Sequence, residues 1–244
     1  MQDQWSYPGR ELESMVFAVN YHRWILDIFR PYLGKRIVEV GAGSGSFSEL
    51  LLETKPERLD SIEPSWNMYP LLADHFRHLK AADNARAHQG SLIGCLDVLR
   101  KEKAPDSIVY VNVLEHVEHD TEELTAMSSL LRCGGHALIF VPANMWLMSD
   151  MDRELGHFRR YTMKELRTKC EAAGFRIERA FHFDILGIAP WWLKYRIGRS
   201  KTMEPGAVRL YDKLAVPVAR LLETLVSPPI GKNLVLIALK GDIG

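Results

Sequence analysis

The chain has 244 residues, 47% of them hydrophobic and 25% charged, and its 31 basic side chains balance 31 acidic ones. This composition excludes a disordered, collagenous or membrane-spanning chain, and at this length one full core plus an accessory segment is stable without staples. A formal net charge of +0 lacks the surplus of Lys and Arg that displaces counterions from phosphates, so no nucleic-acid partner is expected. The three cysteines, Cys95, Cys133 and Cys170, are scattered; neither a disulfide framework, a zinc ribbon nor an iron–sulfur triplet follows from them. The N-terminus, Met1-Gln2-Asp3-Gln4-Trp5, is polar and acidic where a signal peptide is basic and then apolar. The longest apolar run, Ile185 to Leu193, is about half the ~20 residues of a spanning helix. A cytoplasmic protein is expected.

In chain order, residues 10–33 read as helix, with Leu12, Met15, Val16 and Val19 on one face and Pro31 and Gly34 closing the segment. Short β-branched runs then alternate with helical patterns, the signature of an α/β domain with a mainly parallel sheet. Strands are predicted at Arg36–Val40, Arg58–Ile62, Ala85–His88, Ser107–Val113, His136–Val141, Arg176–Phe183 and Asn233–Leu239. Helices are predicted near Ser46–Glu53, Asn67–Leu79, Leu92–Arg100, Glu118–Leu131 and Met163–Ala173. Residues 188–230 stand outside this alternation. There Tyr211, Leu214, Ala215, Val218, Leu222 and Leu225 recur at helical spacing opposite Arg209, Asp212, Lys213, Arg220 and Glu223, which predicts an amphipathic helix bent at Pro217 and buried along its apolar face.

The first strand runs into Gly41-Ala42-Gly43-Ser44-Gly45 and a helix start at Ser46. Glycines allow a tight turn and close approach of backbone to ligand, and the helix N-terminus offers free N–H groups. The nicotinamide fingerprint needs a glycine where Ser46 stands, and no Gly-Lys-Ser/Thr follows for a phosphate-binding loop of the Walker type. What is left is an acid, Glu39, two residues before three alternate glycines, with a second acid, Glu63, after the next strand; a carboxylate there can take both hydroxyls of a ribose.

With these residues the segment from Val38 to Phe47 resembles motif I of class I S-adenosylmethionine-dependent methyltransferases, and Glu63, followed by Pro64, matches the ribose-binding acid of that family. Asn112-Val113-Leu114-Glu115-His116-Val117 resembles the segment after the fourth strand, where many small-molecule members carry Leu-Glu-His. Gln89-Gly90-Ser91-Leu92 stands where the family often has an aspartate against the adenine amino group, here replaced by Ser91. Gly156-His157-Phe158-Arg159-Arg160-Tyr161-Thr162 resembles a His-x-Arg-Arg-Tyr segment of one subgroup. The resemblance implies a Rossmann-like, doubly wound seven-stranded sheet with its last strand antiparallel, and S-adenosyl-L-methionine as cofactor. Together with the helical patterns this divides the chain into a helical cap at 1–34, a cofactor domain at 35–187 and 231–244, and a helical insertion at 188–230, expected as lid or dimer contact because its amphipathic face must bury against something. Cofactor contacts are expected from Glu39, Gly41, Ala42, Gly43, Gly45, Glu63, Pro64, Gly90, Ser91, Leu92, Asn112 and Val113.

Methyl transfer needs alignment and exclusion of water, and a neutral hydroxyl acceptor gains from a base with a pKa near 7. His116 and His157 are the candidate bases; His116 has a helix-capping role as its alternative. Arg159, Arg160 and Tyr161 are candidates to clamp an anionic acceptor, or the arginines pair with Asp152 or Glu154. Tyr21 and Trp191 are candidate pocket walls or core aromatics. His116 and His119 fit neither H-E-x-x-H nor H-x-x-E-H, and no metal is expected. The function implied is methyl transfer to oxygen or nitrogen of a small molecule, by a monomer or homodimer. RNA or protein methylation, a non-catalytic partner subunit, and contact of the insertion with a membrane surface are the lesser alternatives.

Overall fold

A computed structural model of the chain describes residues 6–7, 17–79 and 83–241. Most of the predicted N-terminal helical face, Leu12, Met15 and Val16, lies outside these residues. The helix that follows, α1 (Val19–Phe29), buries Tyr21, Trp24, Ile25, Leu26 and Phe29 at helical spacing, while Val19 is half exposed.

Seven strands form one sheet: β1 (Arg36–Val40), β2 (Arg58–Glu63), β3 (Ala85–Gln89), β4 (Ser107–Val111), β5 (His136–Pro142), β6 (Phe175–Phe183) and β7 (Asn233–Lys240). Their spatial order is β3-β2-β1-β4-β5-β7-β6, with β7 antiparallel to both neighbours and the other pairings parallel. β4 stops short of the predicted Val113 because Asn112 turns to a left-handed φ of 54° and its amide donates to the Phe140 carbonyl at 2.8 Å.

Helices cover both faces. On one lie α4 (Leu92–Leu99), α5 (Asp120–Leu130) and α7 (Met163–Ala172), which bury Leu92, Leu99, Leu124, Met127, Leu130, Leu166 and Cys170. On the other lie α1, α2 (Ser46–Leu52) and α3 (Tyr69–His78). The period-2 alternation of β5 divides the core, with Ala137, Ile139 and Val141 facing one layer and Leu138 and Phe140 the other. Both faces are covered, so the strands read as continuous apolar runs rather than alternating ones. Each fully buried Leu, Ile or Phe contributes about 1.5–3 kcal/mol over leaving it in water.

Between β5 and β6 a short helix, α6 (Asp150–Glu154), was not foreseen; its signal is a capping box in which Ser149 and Asp152 satisfy each other's backbone. The insertion is helical as predicted: α8 (Ile188–Trp191) continues as a π-helix over Trp192–Ile197, and α9 (Pro205–Leu225) carries Pro217 within it.

The burial of α9 contradicts the expectation. Leu214, Val218, Leu222 and Leu225 are exposed, together with Leu210 and Leu221, while Val216 and Ala219 pack on the core. Two residues assigned to the polar face turn inward. Asp212 caps α1, accepting the Tyr21 amide at 2.9 Å and the Asn20 amide at 3.1 Å, and Glu223 accepts the Ile185 and Asp184 amides at 2.9 and 3.2 Å. Asp212 and Glu223 thus meet orphan amides at the start of α1 and in the loop after β6, and these bonds hold the helix in this rotation. Among the described residues no helix is long and apolar enough to cross a membrane.

Candidate active site

The strand order reverses between β1 and β4, and at such a switch point the carboxyl ends of the strands open a crevice. A cavity of about 590 Å³ lies there, reaching from the glycine loop to the segment after β4 and to α8.

At one end, β1 gives way to the loop. The Gly41 and Ala42 amides donate to the Ile62 carbonyl at 2.8 and 3.0 Å, tying the loop to β2. Gly41 has φ +71°, and a Cβ there would lie 2.4 Å from Cγ2 of Val113, so only glycine fits. Gly45, at φ +94°, opens α2. The Gly43 amide donates to Glu63 Oε2 at 2.7 Å, and Glu63 Oε1 accepts the Ser65 amide at 2.9 Å and the Ser65 hydroxyl. These bonds aim the Glu63 carboxylate along the loop and leave lone pairs for further donors. Glu39 is buried and accepts the hydroxyls of Ser61, at 2.8 Å, and Ser48; burial pushes its carboxyl up to about 7 against the pull of those two hydrogen bonds. Glu39, Gly41, Ala42, Gly43, Glu63, Pro64, Ser91, Asn112 and Val113 all line the cavity.

Of the expected cofactor contacts, Gly45, Gly90 and Leu92 are not among the residues that line the cavity, whereas Ser91 is. Leu92 is fully buried in the core, because the first residue of α4 points toward the sheet, and Ile93 lines the cavity instead. Gly90 serves the turn, its amide donating to the Glu63 carbonyl at 3.1 Å. The Ser91 hydroxyl caps α4, accepting the Gly94 amide at 3.1 Å.

At the other end, a short 3-10 turn over Leu114–His116 brings Glu115 and His116 against His157. The imidazoles meet edge to face, centroids 4.6 Å apart at 85°. His157 Nδ1 is held by Asp152 Oδ1 at 3.0 Å, which leaves Nε2 turned to Glu115, 4.0 Å away. Burial, reinforced by His157, pushes the His116 imidazole down to about 3, and burial pushes the Glu115 carboxyl up to about 8. Arg160, almost wholly buried, pairs with Asp152 at 2.8 Å and stacks its guanidinium 4.7 Å from the Trp191 ring. The Trp191 indole donates to the Leu147 carbonyl at 3.2 Å. The Tyr21 hydroxyl lies between Asp184 and Asn233, at 3.1 and 3.0 Å. His116, His157, Arg160, Trp191 and Tyr21 all line the cavity.

Arg159 and Tyr161 do not. Arg159 pairs with Asp120 at 2.6 Å and donates to the Glu118 carbonyl, and the fully buried Tyr161 hydroxyl donates to the same Asp120 at 2.7 Å. With Lys169 also on Asp120, at 2.6 Å, they lock α5 to α7 behind the cavity rather than meeting an acceptor. Successive residues of an extended strip point to opposite sides, so Arg160 faces the cavity and its neighbours do not.

Sequence reading missed several wall residues. Tyr7 enters from the N-terminal segment, its backbone exchanging bonds of 3.0 and 3.1 Å with the Asn67 side chain, and its ring meets His116 edge on. His22, Met68, Met203 and Lys232 also line the cavity, as do Glu115 and Asn233. Glu115, inside the quoted Leu-Glu-His, and His22, in the segment Asn20-Tyr21-His22-Arg23-Trp24 that resembles one of the same subgroup, carried a local signal; the rest converge through tertiary packing.

A glycine loop opening a helix at the switch point, with an acid on the next strand, defines a Rossmann-like nucleotide-cofactor fold. The family described as methyltransferase domain matches residues 18–180, and the chain belongs to it. It is a class I S-adenosylmethionine-dependent methyltransferase by family, with S-adenosylmethionine as cofactor. Similar solved structures agree on the fold. A candidate sarcosine dimethylglycine methyltransferase from Galdieria sulphuraria is 13% identical, with TM-score 0.63 over 92% of this chain and 86% of that one. A methyltransferase from Archaeoglobus fulgidus is 16% identical, with TM-score 0.56 over 94% and 98%. Geranyl diphosphate C-methyltransferase from Streptomyces coelicolor A3(2), solved with Mg2+, geranyl diphosphate and S-adenosyl-L-homocysteine, is 14% identical, with TM-score 0.61 over 95% and 85%. No curated protein matches.

Proposed function

We propose that the protein transfers a methyl group from S-adenosylmethionine to an oxygen or nitrogen of a small, partly apolar acceptor. The observation that carries this reading is the continuity of one cavity, from the glycine loop and Glu63 to the cluster of Glu115, His116 and His157. The bound cofactor supplies an electrophilic methyl on a sulfonium. The Gly41–Gly45 backbone and Glu63 hold its nucleoside part, and Glu39 closes the loop from below. At the other end Trp191, Met203 and Arg160 form a wall that excludes water and fixes the acceptor's approach. The Arg160 fork is engaged by Asp152 and by the Ala143 carbonyl, so it shapes the wall rather than binding an anion outright. His157, oriented by Asp152 through Nδ1, has Nε2 available to take a proton from an acceptor hydroxyl, the arrangement of an oriented base.

Residues 188–203 act as a lid through Trp191 and Met203, and the chain works without a nucleic-acid partner. The size of the cavity supports a small acceptor over RNA or protein.

Turnover with a panel of small phenols, alcohols and amines tests this reading. His157→Ala is expected to lower kcat roughly 10²–10⁴-fold for a neutral hydroxyl acceptor and far less for an amine. Equal loss on both acceptor types would remove His157 from proton transfer.

A further inference from the structure

We propose that Glu115, His116 and His157 form a divalent-cation site at the inner end of the cavity, with open coordination positions toward the acceptor. Each offers one ligand atom, and the three atoms lie within 4.8 Å of one another. Two ligand atoms held about 2.1 Å from an ion at a tetrahedral angle are ~3.4 Å apart, so the cluster reaches bonding geometry by side-chain shifts of up to about 0.8 Å per ligand.

Three independent features of the cluster point to an ion. Glu115 is wholly buried, yet among the described residues neither carboxylate oxygen has a hydrogen-bond partner. His116 Nδ1 is likewise buried and makes no hydrogen bond of ordinary geometry, the Leu155 and Gly156 backbone being its nearest polar neighbours. A native interior leaves such groups orphaned only where something else meets them. His157 completes the set: Asp152 takes its Nδ1 at 3.0 Å, fixing the tautomer that presents Nε2 as a lone pair toward Glu115 Oε1 at 4.0 Å, too far for a hydrogen bond. This carboxylate–histidine relay is the outer arrangement that metal-binding imidazoles use. Asp152 is itself held rigid by the Ser149 amide at 2.8 Å, the Ser149 hydroxyl at 2.7 Å and Arg160, and its charge offsets that of the neighbouring guanidinium.

The donor set of two imidazoles and one carboxylate selects zinc, cobalt, iron or manganese in the divalent state over magnesium or calcium, which prefer all-oxygen shells. Because all three residues line the cavity, the ion would keep positions open to an acceptor oxygen. His119, the partner that sequence spacing suggested for His116, is exposed and outside the cluster. The ligands come instead from two segments joined only by the fold, the turn after β4 and the loop after α6. The consequence for catalysis rests on the methyl-transfer reading above: an acceptor hydroxyl bound to the cation would have a lowered pKa and would release its proton to solvent water on binding, so that with the ion present His157 would act as ligand and the direct proton abstraction would apply only to the metal-free site. The site itself does not depend on that reading.

The test uses the full-length protein, stripped with a chelator and titrated with Co2+. One Co2+ per chain is expected, with visible d–d absorption of a four- or five-coordinate ion. Glu115→Gln and His157→Ala should each weaken binding at least tenfold, Asp152→Asn roughly 10–100-fold, and the exposed His78→Ala not at all. S-adenosylhomocysteine calorimetry on the same samples reports folding and the cofactor end separately. Cofactor binding without stoichiometric Co2+ binding, or Co2+ affinity unchanged in both Glu115→Gln and His157→Ala, would overturn the metal site while leaving the methyltransferase reading intact. Co2+ binding without cofactor binding would do the reverse.

Discussion

Glu39 is an acid kept in a place that disfavours its charge. It is buried at the end of β1, where two serine hydroxyls are its donors among the described residues, and burial pushes its carboxyl from the ordinary 4.5 up to about 7. Folding therefore favours the protonated form. The group's contribution is fully present below about pH 4.5 and is lost as the pH rises to about 7, above which the buried charge costs about 3 kcal/mol. Glu39→Gln is expected to melt higher than the wild type at pH 8, with the gap closing toward pH 5, and to bind S-adenosylhomocysteine less tightly. Melting curves at the two pH values and one titration check both halves, and a variant that is less stable at pH 8 would contradict the assigned ionisation. Tyr161 is the opposite case. Its hydroxyl serves Asp120 in the packing of α5 on α7, so Tyr161→Phe should cost about 1–2 kcal/mol in denaturant unfolding and leave cofactor affinity unchanged.

At the scale of elements, the strands and the helices between them were legible because burial on both faces leaves continuous β-branched runs punctuated by glycine and proline. Boundaries moved by a residue or two where the backbone turned, as at Asn112 with its left-handed φ. The insertion was legible as helix but not as to its buried face: periodicity counts leucines, whereas Asp212 and Glu223 turn inward to satisfy backbone amides that belong to distant segments. Two outcomes follow. Leu221→Lys and Leu225→Lys, on the exposed stripe, should each change unfolding free energy by no more than about 0.5 kcal/mol. Asp212→Ala, which uncaps α1, should cost about 1–2 kcal/mol. Urea titration of the three variants reads both, and comparable losses in all three would mean that the leucine face is packed.

For the whole molecule, the sheet places the glycine loop and the turn after β4 at one edge, and β5, α6 and α8 bring His157, Arg160 and Trp191 over it. The glycine-loop end of the cavity was readable because its glycines answer to backbone geometry within one short segment. The opposite end was half readable. His116, His157, Arg160, Trp191 and Tyr21 line the cavity as expected, but Arg159 and Tyr161 face away from it, and Tyr7 and Asn233 converge from the two ends of the chain with no local pattern to announce them. The central claim is that the Gly41–Gly45 loop holds the S-adenosylmethionine nucleoside in the cavity. Calorimetric titration with S-adenosylhomocysteine tests it most directly. The native chain should bind one equivalent and Gly43→Arg none, with both showing the same cooperative melt; equal binding by the two proteins, or no binding by the native chain, would contradict the account.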